Sequence, residues 1–234
     1  MIKVLGIGMG LHQITAEVAD ALRRCDYVIA ASKRDDDGLL ALRREICDAY
    51  GLPLIAVPDP ERDREPAGDG GYVSAVADWH QARVEAYRRV IEERGGIPAF
   101  LVWGDPALYD STIRIVRELD PDYEVFAGIS APQLLAARHR IVLHEIGQPV
   151  LITTQRQLAG AIAEGAENVV AMLTSGFSEA GIEDWRIWWG VNLGTPSERL
   201  VAGVVGDVAD EIREARDAAK AEAGWVMDLF LVRK

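Results

Sequence analysis

The sequence of 234 residues predicts an α/β protein of two α/β domains, the first built on a parallel sheet. Three observations carry this reading. Through the first half of the chain, short apolar runs alternate with stretches of helical periodicity, the βαβ rhythm of a parallel sheet covered on both faces. Near residue 145 the rhythm restarts with a different spacing, which places a boundary there and gives domains 1–144 and 145–234. With 49% hydrophobic and 26% charged residues, the chain can also bury a substantial core.

The elements follow in order. IKVL (2–5) reads as a first strand, and Val18, Leu22 and neighbouring alanines mark a helix after it. DYVIAA (26–31) is a second strand, followed by a helix with Leu39, Leu42 and Ile46 on one face. PLIAV (53–57) is a third strand. The segment 58–71, PDPERDREPAGDGG, carries turn formers and mixed charges without periodicity, and a loop of that length is commonly functional or mobile. Val76, Trp79, His80, Val84, Tyr87, Val90 and Ile91 recur at helical spacing until Gly95-Gly96 ends the helix. PAFLVW (98–103) and YEVFA (123–127) are the fourth and fifth strands. In the second domain VLITT (150–154), NVVAML (168–173), IWWGVNL (187–193) and WVMDLFLV (225–232) are strand-like, with a long charged helix over 206–223.

Composition excludes several classes of function. A formal net charge of −12 argues against nucleic acid as partner, because a phosphate backbone demands a basic face. No apolar stretch reaches the ~18 residues of a membrane span. The start, MIKVLGIGMG, reads as a strand entering a glycine turn rather than as a secretory signal, so a cytoplasmic location is expected. Cys25 and Cys47 lie in helical patterns away from any CxxC spacing and are expected as buried thiols. No His, Cys and Asp cluster has metal-ligand spacing, and none is expected to hold a metal.

Three turns carry the chemistry. GIGMG (6–10) follows the first strand, the context of a glycine-rich ligand loop. It fails as a dinucleotide fingerprint, since Leu11 stands where the third glycine belongs and no acidic residue closes the second strand. GDPALYDST (104–112) follows the fourth strand. AGISAPQ (127–133) follows the fifth, with Ser130, Pro132 and Gln133 spaced as a capping box whose helix opens with free N–H groups. In a parallel sheet these turns converge on one rim, which makes that rim the candidate ligand site.

Taken in order, GIGMG with the following IT, GDPALYDST and GIS resemble the tetrapyrrole methylases, the two-domain class III methyltransferases of cobalamin and sirohaem synthesis. The likeness continues through KRDDDGLLALRREIC, VPDPERDR, DWHQAR, AARHRIVLHEIGQPVLITT, WWGVNLGTP and the closing GWVMDLFLVRK. The chain departs from the family in its short GLHQIT and in Ala127-Gly128, where Pro-Gly is usual. The resemblance implies an active-site cleft between the domains, a homodimer, a tetrapyrrole substrate and S-adenosyl-L-methionine as cofactor, leaving S-adenosyl-L-homocysteine. By motif position it implies Gly8, Met9, Gly104, Asp105, Leu108, Ser130 and Ala131 at the cofactor, with Met172 or Leu173 as apolar wall.

The implied reaction methylates C-1 of precorrin-5, consumes water and releases the acetyl group as acetate. Methyl transfer asks mainly for alignment. Acetyl loss asks for a general base and a hydrogen-bond donor to an oxyanion, and Asp105, Tyr109 and His139 are the candidates. His12 and His80 are expected as surface or core residues, and His144 in the linker. The many carboxylates of a precorrin call for arginine partners. Arg138 and Arg140 are the candidates, with Lys33-Arg34 and Arg62/Arg64 as further cations of the first domain. Methylation elsewhere on a corrinoid ring, or a non-catalytic tetrapyrrole carrier, are the alternatives.

Overall fold

The computed structural model describes residues 1–32, 38–60, 71–120, 122–179 and 181–234, the side chains of 71–76 excepted. The chain divides into two units, Met1–Ile129 and Ser130–Lys234. The division falls before the boundary expected at 144/145, because the helix that opens with Ser130 packs on the second sheet rather than on the first.

The first unit runs β1 (Ile2–Gly6), α1 (Ala16–Leu22), β2 (Tyr27–Ser32), α2 (Gly38–Tyr50), β3 (Leu54–Pro58), α3 (Gly71–Arg94), β4 (Pro98–Val102), α4 (Thr112–Leu119) and β5 (Tyr123–Phe126). Its strands pair in the order β3-β2-β4-β1-β5, all parallel as expected. Successive residues of a strand face opposite sides. Leu5, Val28, Ala99 and Leu101 pack with Val18 and Leu22 of α1 and Ile46 and Cys47 of α2. Ile2, Val4, Ile29, Phe100 and Val102 pack with Val84 and Tyr87 of α3 and Ile115 and Val116 of α4. Two faces therefore consume both halves of each central strand, which is why their buried residues are apolar but for Lys3 of β1.

Strand order decides where a ligand can bind. From β1 the chain crosses over α1 to β2, and from the adjacent β4 it crosses over α4 to β5, on the opposite side. The two connections start from neighbouring carboxyl ends and run to opposite sides of the sheet, which makes that rim the place to look for a ligand.

The second unit runs α5 (Ala131–His139), β6 (Leu151–Thr154), α6 (Gln155–Ala163), β7 (Asn168–Met172), β8 (Arg186–Val191), β9 (Arg199–Val204), α7 (Val205–Ala223) and β10 (Asp228–Arg233). Its strands pair as β6-β7-β10-β8-β9, parallel between β6 and β7 and antiparallel elsewhere. Leu158 of α6 and Val205, Ile212 and Ala219 of α7 pack on Val169, Ala171, Ile187, Trp189 and Phe230. Gly190, between Trp189 and Val191, faces the other way and lets Leu135 of α5 approach: a Cβ there would lie 2.9 Å from Leu135 Cδ1. The strand β9 and the helix α6 were not among the expected elements.

Cys25 and Cys47 are buried and unpaired by any disulfide, as expected. Burial pushes each thiol up to about 11, and a thiol rather than a thiolate is a poor nucleophile. Both should resist iodoacetamide at pH 8 in the native protein and react fully in denaturant, read by mass spectrometry. Rapid native labelling of either would contradict its place in the core. No described helix is long and apolar enough to cross a membrane.

Candidate functional site

Three turns meet at the carboxyl ends of β4, β1 and β5, and they meet main chain to main chain. Gly8 and Gly104 exchange both backbone hydrogen bonds, Gly8 N to Gly104 O at 3.2 Å and Gly104 N to Gly8 O at 2.7 Å. Gly8 (φ 56°) and Gly104 (φ 64°) are both in the left-handed region that favours glycine. The turn after β5 closes on the same pair. A Cβ on Gly128 would lie 2.2 Å from Gly104 O and 2.6 Å from Gly6 C. No side chain fits at that contact.

Asp105 ties the turns together. Its Oδ1 accepts the N–H of Ala107 at 2.8 Å, which shapes its own turn, and its Oδ2 accepts the N–H of Gly128 at 3.0 Å, across to the turn after β5. With both oxygens accepting main-chain N–H groups, the carboxylate has the geometry of a clamp. Leu108, half-buried, follows it with its N–H on Asp105 O at 3.2 Å. Tyr109 has a left-handed backbone (φ 53°) and is 44% exposed. For a non-glycine residue that conformation costs about 1–2 kcal/mol, and such strain gathers at functional positions.

Met9 is buried, and its N–H is accepted by Gln13 Oε1 at 3.0 Å. Gln13 also lies directly under Gly8, where a Cβ would meet Gln13 Oε1 at 2.5 Å. No sequence signal marked this glutamine; its role appears only once the turn is folded. Gly10 has nothing within 4 Å of where its Cβ would stand, so the turn is open on that side. The segments 6–11 and 104–109 contain no Lys or Arg, and their one ionised side chain is Asp105.

The second unit holds the remaining candidates. Ser130 and Gln133 form the expected capping box: Ser130 Oγ accepts from Gln133 N at 3.4 Å, and Gln133 Oε1 accepts from Ser130 N at 2.9 Å. Ala131 begins α5, half-buried. Arg138 donates from Nε to both oxygens of Glu198 at 3.0 Å, and Glu198 also accepts the N–H of Gly194. That pairing ties the guanidinium to the connection between β8 and β9 rather than leaving it unpaired. Arg140 is the left-handed C-cap of α5, exposed, and makes no ion pair among the described residues. His139 Nε2 lies 2.9 Å from the carbonyl of Trp189; a carbonyl only accepts, so Nε2 carries the proton and only Nδ1 could take another.

Met172 ends β7, half-buried, and Leu173 beyond it is 62% exposed with φ 54°, an apolar side chain presented by a strained turn. His144 is exposed, with Nδ1 3.1 Å from Glu145 O. Lys33-Arg34 and Arg62/Arg64 lie outside the described residues, as does 61–70 of the predicted loop. Among the described residues no group of His, Cys, Asp and Glu could hold a metal ion.

The model of the tetrapyrrole (corrin/porphyrin) methylase family matches residues 1–209. Precorrin-6A synthase (deacetylating) from Sinorhizobium sp. is 38% identical, with 100% of this chain and 95% of that protein covered. Among solved structures, the cobalamin-synthesis-related protein CobF from Corynebacterium diphtheriae superposes with a TM-score of 0.82 at 36% identity, covering 100% of this chain and 98% of that one. Cobalt precorrin-4 methyltransferase, CbiF, has a TM-score of 0.66 at 17% identity over 99% of this chain and 94% of its own, a likeness of fold.

Proposed function

Because the chain belongs to the tetrapyrrole (corrin/porphyrin) methylase family, we propose that it converts precorrin-5 to precorrin-6A, methylating C-1 and releasing the acetyl group as acetate. The observation that carries this reading is the full-length likeness to a deacetylating precorrin-6A synthase, joined to a rim of three interlocked turns. On the same family grounds the enzyme works as a homodimer in the cytoplasm.

The rim fits S-adenosylmethionine. The sulfonium is a cation and the adenosine is neutral, so these two parts of the cofactor call for carbonyls and apolar contacts, which 6–11 and 104–109 offer together with one carboxylate. When bound, S-adenosylmethionine supplies an electrophilic methyl group on a good leaving group. Gly8, Met9, Gly104, Asp105 and Leu108 hold it on the first unit, with Ser130, Ala131, Met172 and Leu173 assigned the same role by motif position. What the chain contributes to methyl transfer is alignment, worth up to about 7–11 kcal/mol when the reacting atoms are held rigidly. Turns fixed by main-chain contacts suit that requirement.

Acetate release needs protons moved. Asp105 clamps two N–H groups and His139 is anchored on Trp189 O. Tyr109, the most exposed of the three candidates, is assigned to donate to the oxyanion formed when water adds to the acetyl carbonyl. Arg140 is assigned to substrate carboxylates, and Arg138 to the same role through the guanidinium N–H groups that its Nε pairing with Glu198 leaves over.

The test is a stoichiometry. Purified protein is incubated with S-adenosylmethionine and enzymatically generated precorrin-5, and methyl groups gained and acetate released are counted per macrocycle. One of each is expected. Methylation without acetate would move the enzyme to another ring position, and neither event with substrate bound would make it a carrier. In the same assay Tyr109→Phe should slow acetate release about 100-fold while methylation stays within a few-fold, the size of one lost oxyanion donor. Equal acetate rates would remove Tyr109 from that role.

A further inference from the structure

Asp228 opens β10 as a carboxylate whose side chain is only 2% exposed, and no step of the proposed chemistry uses it. Its partners come from three other segments. Trp189 Nε1 of β8 donates to Oδ2 at 3.3 Å, Arg216 Nε of α7 donates to the same oxygen at 3.1 Å, and the Thr174 hydroxyl donates to Oδ1. As a device for stability this is a poor choice, since a buried ion pair roughly breaks even against apolar side chains of the same volume. The carboxylate does, however, do one thing that an apolar residue could not. It holds Thr174.

Thr174 follows Leu173, the exposed leucine in a left-handed conformation. The two residues after Thr174 are held as well. Gln155, the first residue of α6, accepts the N–H of Ser175 at 3.1 Å through Oε1 and donates from Nε2 to the carbonyl of Gly176. The strained turn is therefore fixed just beyond Leu173 by side chains from β10 and α6. A strained backbone persists only where its surroundings over-determine it.

We propose that Asp228 and Thr174 are positioning residues that hold Leu173 in the conformation that meets the cofactor. This rests on the reading of Leu173 as cofactor wall. Asp228 acts through Thr174, and Thr174 acts through the backbone of the turn. Neither touches the reacting atoms. Trp189 and Arg216, both donating to Oδ2, keep the carboxylate aimed at Thr174.

The test uses Thr174→Val, which keeps the shape and removes the donor, Thr174→Ser, which keeps the donor, and Leu173→Ala. S-adenosylhomocysteine binding is measured by calorimetry below each variant's thermal midpoint, so that only folded protein is compared. Loss of one donor to a buried carboxylate should weaken binding about tenfold in Thr174→Val and raise the KM for S-adenosylmethionine to match. The kcat and the KM for the tetrapyrrole should stay within about twofold of the parent, within measurement of a null effect. Thr174→Ser should bind as the parent does. Unchanged binding in Thr174→Val, with Leu173→Ala weakened, would overturn the positioning role and leave the cofactor wall standing. Unchanged binding in Leu173→Ala would overturn the cofactor wall itself, and the proposal with it. A fall in kcat with KM unmoved in Thr174→Val would also overturn it, since that is not a binding effect.

Discussion

Gly128→Ala should weaken S-adenosylhomocysteine binding about 100-fold and lower the thermal midpoint by about 6–12 °C, the consequence of ~3 kcal/mol of overpacking. The added methyl would stand 2.2 Å from Gly104 O and 2.6 Å from Gly6 C. Both neighbours are main chain, so neither can swing aside as the end of a side chain would. The turn after β5 must back away, and the Asp105 to Gly128 hydrogen bond goes with it. Gly160→Ala is the contrast. Gly160 lies within α6 with nothing within 4 Å of a new Cβ, so that change should stabilise by about 0.5–1 kcal/mol through helix propensity. Calorimetric melting and titration with S-adenosylhomocysteine read both variants. Parent-like binding in Gly128→Ala would mean the three turns do not act as one body.

Asp105→Asn separates clamp from base. An amide presents one oxygen, so it can accept from Ala107 or Gly128 but turns an N–H₂ toward the other. Losing one charge-assisted bond and facing two donors together removes about 1.5–3 kcal/mol, or ~10–150-fold in affinity. As a clamp, Asp105→Asn should raise the KM for S-adenosylmethionine and slow methylation and acetate release together. A general base lost alone would leave methylation intact and stop acetate release. The ratio of the two product rates decides between them.

Much of the first unit was legible because its strands are buried on both faces. IKVL, DYVIAA and PAFLVW are apolar except for Lys3 and Asp26 and end at turns, and the structure puts β1, β2 and β4 there. The second unit hid two elements for definite reasons. β9 ends at Val204 and α7 begins at Val205, so no turn residue separates strand from helix. α6 is rich in alanine and glycine and buries only Leu158, which leaves little periodicity to detect. In sequence α5 looks like one more helix of the βαβ series, and only its packing partners show that it belongs with the second sheet.

At the site, the three turns could be found from local composition, since each advertises itself by glycine after an apolar run. The links between them could not. Asp105 and Gly128 are a turn residue and a glycine in separate loops until the sheet places β4 and β5 on either side of β1. Asp228 is harder still. Its partners, Thr174, Trp189 and Arg216, lie in three segments with no shared motif, and charge counted along the chain gives no hint that one aspartate is enclosed. The arginines show the opposite limit. ARHR reads as a block of cations, yet Arg138 is committed to Glu198 and His139 to a carbonyl.

The bridge between Gly8 and Gly104, with Gly128 laid against it, has a consequence for inheritance. A surface whose form is set by peptide groups is almost indifferent to which side chains surround it. A gene encoding it must preserve the absence of a Cβ at a few positions and one carboxylate to fasten them. Leu11 and Ala107, exposed at the edges of those turns, are under no such constraint from packing. Descendants of such a gene can vary what they recognise while keeping, unaltered, the part that grips what they all consume.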